Sequence, residues 1–223
     1  MTLVIADEPV HAISQEKMEP LLVAVFADFV CPYSYLAVDQ MDRLVSEYNV
    51  RVMWRPYWLH PETPLDGTPV EQLPATQERR SATVAWLKEM APEQAARIRF
   101  PDRLYCSLPA FEALEFAAER DRSMPFKSAV FSLLWEKSVD IGQISNLQRA
   151  GEMAGLDAEE LGRDLRERRH LPHAIHALIQ AREFQITSTP TLLLGRVRIN
   201  GWHYYEVLES ALERQGISKR QSA

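Results

Sequence analysis

The chemistry in this chain concentrates at Val30-Cys31-Pro32-Tyr33-Ser34-Tyr35. Cys31 stands where an apolar run ends and an amphipathic one begins, and Pro32 suits the first position of the helix that follows. Unpaired backbone N–H groups and the positive end of a helix dipole would then face the sulfur and favour the thiolate, the nucleophile of disulfide exchange. The bland use of a cysteine is as a small buried hydrophobe, but the place before Pro32 favours the reactive role. Ser34, one turn along, can donate a hydrogen bond to a thiolate but cannot attack a sulfur–sulfur bond. A mixed disulfide on Cys31 therefore needs a second thiol to clear it, either external or the chain's other cysteine. Cys106 is the candidate resolving thiol; an inert buried cysteine is the favoured reading of it, since resolution requires the two Cα atoms to come within roughly 7 Å. Two cysteines are too few for a disulfide-stapled scaffold or a cysteine zinc site.

The elements that must position this motif follow from periodicity. Leu21 to Ala27 is continuously apolar, as in a strand covered on both faces. Ala37, Met41, Leu44, Val45 and Tyr48 recur with helical spacing, and Val50, Val52 and Trp54 alternate with Arg51 and Arg55 in a second strand. This is a βαβ unit. Prolines from Pro61 to Pro74 mark a loop leaving the sheet. Helices are expected at Thr76 to Met90, at Ser107 to Arg120 with Ser107 as N-cap, at Pro125 to Lys137, at Ser145 to Ala154, and at Asp157 to Arg169 with Asp157 as N-cap. Strand character returns at Thr191 to Leu194 and Val197 to Asn200, joined by Gly195-Arg196, and a last helix runs from about His203 to Arg214.

With 223 residues, 46% of them hydrophobic, the chain can bury one core or one core with an insertion. Its formal charge of −6 offers no field for a phosphate backbone, so nucleic acid is not an expected partner. The longest apolar run is far short of the roughly 20 residues needed to span a bilayer, and no basic cluster precedes an apolar stretch at the start, so a soluble, cytoplasmic protein is expected. His170, His173 and His176 recur every third residue. Pro172 interrupts them and no carboxylate lies at ligand spacing, so they read as a solvated helix face and no metal is expected. No glycine-rich phosphate loop is present.

The element order, Cys31-Pro32-Tyr33-Ser34-Tyr35-Leu36-Ala37 after the first strand, and Ser188-Thr189-Pro190-Thr191 before the return hairpin together resemble the DsbA-like branch of the thioredoxin fold, closest in pattern to its FrnE-type members. The resemblance spans Leu21 to Leu212. It implies an α/β fold with a central mixed sheet, βαβ then ββα, and an all-helical insertion. The thioredoxin-fold domain is expected at 20–73 and 174–216, the inserted helical subdomain at 74–173, and an N-terminal extension at 1–19.

The resemblance further implies a cis peptide bond at Pro190 beside the sulfur, leaving the N–H and C=O of Thr189 for an extended substrate or glutathione. In this topology the strand ends at Tyr57 and Asn200 deliver Trp58 and His60, and Trp202 and His203, to the Cys31 end of the sheet. Either histidine is a candidate partner for the thiolate. Pro32 and Tyr33 are expected to contact substrate, and Tyr35 to pack in the core. The absent second cysteine of a CxxC pair points two ways. The chain is a thiol–disulfide oxidoreductase that works through Cys31, with Ser34 and Pro190 in its site and no tightly bound cofactor, using glutathione as co-substrate. Alternatively it is a glutathione-dependent isomerase or transferase similar to hydroxychromene-carboxylate isomerases and kappa-class glutathione transferases, whose motif carries serine first. A non-catalytic peptide-binding module is a third reading. The expected partner is a thiol or disulfide substrate, protein or small molecule, and a homodimer is left open.

Overall fold

The computed structural model describes residues 19–73 and 76–220. Pro74 and almost all of the expected N-terminal extension lie outside them. A four-stranded sheet has the order β2-β1-β5-β6. Strand β1 (Leu21–Ala27) is central, parallel to β2 (Val50–Pro56) and antiparallel to β5 (Thr191–Leu194), which pairs antiparallel with β6 (Val197–Asn200). The first, second and fourth of these strands therefore end at one edge of the sheet. Helix α1 (Pro32–Glu47) leaves β1 at that edge.

Alternation within β1 explains its central place. Val23, Val25 and Ala27 join the main core with Leu36, Met41 and Leu44 of α1, while Phe26 meets Ala181 and Ile186 on the opposite face. Leu22, at the strand's start, is exposed despite the apolar run.

Between β2 and β5 the chain forms a two-stranded ribbon, β3 (Thr68–Pro69) with β4 (Arg103–Leu104), and a series of helices. These are α2 (Thr76–Met90), α3 (Pro92–Arg97), α4 (Leu108–Ala118), α5 (Ser123–Trp135), α6 (Ile144–Met153), α7 (Ala158–Glu167) and α8 (Leu171–Glu183). Helix α9 (Tyr205–Glu213) closes the chain against α1, where the Tyr205 hydroxyl donates to Glu47 at 3.2 Å. One apolar core runs from the sheet through α1, α4, α5, α6 and α7. Among the described residues no helix is long and apolar enough to cross a membrane.

Two local expectations need correction. Ser107 does precede α4, but its hydroxyl does not cap that helix; it bonds Asp28 instead. His170 does not sit on a solvated face. It is buried, with Nδ1 at 2.7 Å from Asp164 Oδ1, Nε2 at 3.0 Å from Glu119 Oε2, and its ring edge-on to Phe116. Pro172 does not break the run, because it lies in the first turn of α8, where a missing N–H costs nothing. Burial works against the imidazolium, but the bonds from Asp164 and Glu119 outweigh it and raise the His170 pKa above 6.5.

A histidine raised in the fold stabilises it fully below the unfolded value and loses that contribution as pH climbs through the folded value. His170→Gln should therefore destabilise the protein at pH 6, by about 1 kcal/mol given the exposed Glu119 partner. In urea titrations the gap between wild type and variant should shrink at pH 9. A gap that widens with pH would contradict the pairing.

Candidate active site

Cys31 occupies the N-cap of α1 in extended backbone conformation, with Pro32 opening the helix. Its N–H donates to the Asp28 carbonyl at 3.1 Å, and its own carbonyl accepts from the N–H of Ser34 and Tyr35. The side chain is 5% exposed. Its Sγ lies 3.5 Å from the Thr189 carbonyl oxygen, which accepts the thiol proton. The Thr189–Pro190 bond is cis. Chain segments far apart in sequence thus meet at one sulfur.

Two hydroxyls flank that sulfur, Ser34 Oγ and Thr189 Oγ1. Both are buried without a hydrogen-bond partner, and both favour the anion of Cys31. Burial is nonetheless the largest influence, and it pushes the Cys31 thiol above its ordinary value. Burial therefore works against the thiolate that the helix terminus favours. The Thr189 carbonyl meets the thiol through one of its two lone pairs and keeps the other for a further donor.

Asp28, the residue after β1, has no role among the sequence-based expectations. It is fully buried. Its Oδ1 accepts from Val30 N–H and the Ser107 hydroxyl, and its Oδ2 accepts from Leu59 N–H at 2.8 Å. One carboxyl ties the end of β1, the loop after β2 and the start of α4 together. Burial pushes its pKa up, against the effect of those three bonds, and its charge disfavours the anions of both Cys31 and Cys106. A charged residue at the end of an apolar strand, three before the cysteine, was the available signal.

The other expected residues fall into place unevenly. Cys106 is buried and free, and burial raises its thiol. His60 pairs with Glu62 at 3.1 Å, and His203 Nε2 lies 3.0 Å from the Asn200 carbonyl, so neither histidine is committed to the sulfur. Tyr33 is half-buried, set T-shaped against Trp86 of α2, and Trp86 in turn meets Trp202. Trp58 and Trp202 are half-buried, each with an indole N–H that lacks a partner. Tyr35 packs in the core, its hydroxyl donating to Glu136 at 2.7 Å. Away from this site, Glu119, His170 and His173 bring ligand atoms within 4.8 Å of one another, so a carboxylate does join the histidines, from the end of α4 rather than from their own helix.

A cysteine at this helix start, facing a cis-proline strand across a βαβ…ββα sheet, has a counterpart in known proteins. Residues 22–213 match the model of the DSBA-like thioredoxin domain. The chain belongs to that family. It is 28% identical over 201 residues to the uncharacterized protein YwbO of Bacillus subtilis, covering 88% of this chain and 98% of that one. Among solved structures it is similar to a probable DsbA oxidoreductase, SCO1869, from Streptomyces coelicolor, with a TM-score of 0.77 at 21% identity over 91% and 92% of the two chains. It is also similar to a hydroxychromene-carboxylate isomerase, with a TM-score of 0.70 at 18% identity over 88% and 96%. At these identities the two structures speak for the fold.

Asp28→Asn would replace an acceptor oxygen by a donor facing at least one of three buried donors. It should cost about 1–3 kcal/mol, the penalty for stranding a buried polar group. Urea unfolding measures it, and a loss under about 0.5 kcal/mol, the range of neutral surface changes, would mean that the carboxyl is not the tie described.

Proposed function

We propose that this DSBA-like chain carries out thiol–disulfide exchange through Cys31 alone, with glutathione or a similar small thiol as co-substrate. The observation that carries the reading is the sulfur's setting. The thiol rests protonated on the Thr189 carbonyl, and two unpartnered hydroxyls stand beside it to receive the negative charge. Loss of the thiol proton leaves the anion free to attack a substrate disulfide. A bond forms between Cys31 Sγ and one substrate sulfur, the substrate's sulfur–sulfur bond breaks, and the other half leaves as a thiolate. An external thiolate then attacks the mixed disulfide and restores Cys31. The two steps balance with no net oxidation of the protein.

Ser34 supports this cycle only as a hydrogen-bond donor, and the two cysteines are unbonded to one another. Incubation with glutathione disulfide should yield one glutathione adduct per chain by intact mass under non-reducing conditions, absent in Cys31→Ser. The adduct should persist until reduced glutathione is added, whereas Ser34→Cys should release it unaided. Wild-type turnover without any small thiol, abolished by Cys106→Ala, would replace the monothiol cycle with one resolved by Cys106.

One observation favours a second reading. Burial keeps the sulfur protonated, which suits a site where Cys31 or Ser34 orients the sulfur of bound glutathione in an isomerase or transferase. Tight non-covalent glutathione binding with no adduct would select that reading.

A further inference from the structure

Val30 and Pro32, the neighbours of Cys31 on either side, form part of the wall of a cavity of about 250 Å³. Its remaining walls come from α2, β4, α5 and the loops beside them, and they are mostly apolar, with Leu73, Phe100, Leu134 and Trp135 among them. The charged lining has one sign. Among the described residues Arg79, Arg80 and Arg103 border the cavity and no Asp or Glu does, although acidic residues outnumber basic ones 31 to 25 in the chain.

The three arginines are not equivalent. Arg80 is spent on the carbonyls of Phe100 and Pro101, with its guanidinium over the Phe100 ring. Arg103 is spent on the carbonyls of Asp66 and Gly67. Arg79 is exposed and makes no hydrogen bond or ion pair among the described residues. Two guanidinium groups thus build the wall, and one is left over at its rim. A fork of N–H donors beside an apolar space matches a carboxylate carried on an apolar body.

We infer that this cavity binds a small apolar acid, its ring or chain against Phe100 and Trp135 and its carboxylate on Arg79, and that such acids in thiol or disulfide form are the substrate half held beside Cys31. The second clause rests on the exchange chemistry proposed above. The first does not. The cavity suits one compact group rather than a polypeptide, and the low exposure of the sulfur agrees with a small substrate.

Naphthoate is a suitable probe, read by quenching of indole fluorescence, because Trp135 lines the cavity. It should bind wild type and Cys31→Ala equally. Arg79→Gln should weaken binding roughly tenfold, as expected for loss of a charge-assisted hydrogen bond, and Thr83→Trp, which fills the cavity from α2, should abolish it. Neutral naphthamide should bind more weakly and ignore Arg79→Gln. No binding of naphthoate, or equal binding to wild type, Arg79→Gln and Thr83→Trp, would overturn the site. For the substrate class, the rates at which Cys31 reacts with dithiobis-nitrobenzoate and with uncharged dithiodipyridine are each divided by the reagent's rate with free glutathione. The acidic disulfide should be preferred, and Arg79→Gln should remove the preference. If Cys31 exchanges with neither disulfide while naphthoate still binds, the exchange reading fails and the cavity stands. If Cys31 exchanges with glutathione disulfide but naphthoate does not bind, the cavity assignment fails and the exchange reading stands.

Discussion

Everything at this site depends on burying one sulfur. A thiol can be enclosed cheaply and a thiolate cannot, so the proton on Cys31 is the variable that the surrounding fold controls. The Thr189 carbonyl holds that proton, and the hydroxyls of Ser34 and Thr189 are available when it leaves. This requires the start of α1 and the entry to β5 to meet within hydrogen-bond distance of sulfur. The sheet order provides the meeting by pairing β5 directly with β1. Asp28 fixes the same corner from beneath by holding Leu59 and Ser107 against the end of β1.

Much of this was readable locally. The strand bounds Thr191–Leu194 and Val197–Asn200 match the expectation, because alternation and the Gly195-Arg196 turn are properties of adjacent residues. Helix α2 likewise has the expected bounds. Cys31, Thr189 and Pro190, singled out by the motif and the resemblance, are brought together in the structure. What escaped the reading was set by distant partners. Asp28 acquires its role from residues 31 and 79 positions away, and His170 is buried by carboxylates on other helices. The burial that opposes the Cys31 thiolate has the same origin. A helix terminus is visible in eight residues, but the enclosure that outweighs it comes from the whole fold. The short α3 and the two-residue strands of the ribbon leave too little periodicity to detect.

The helices between β2 and β5 do more than cover the sheet. Helix α2 contributes Trp86 to the aromatic contact with Tyr33, and Arg79, Arg80 and Thr83 to the cavity. The proposed cavity thus joins the neighbours of the motif cysteine to residues of α2 and α5.

The central claim is that Cys31 rests as a neutral thiol because burial outweighs the helix terminus. Titrating the ultraviolet absorbance of its thiolate, with Cys106→Ala as background and Ser34→Ala and Thr189→Val added separately, tests it. The account predicts a midpoint above that of an unperturbed cysteine, moving higher when either hydroxyl is removed. A midpoint below the ordinary cysteine value, or one that neither removal moves, would contradict it.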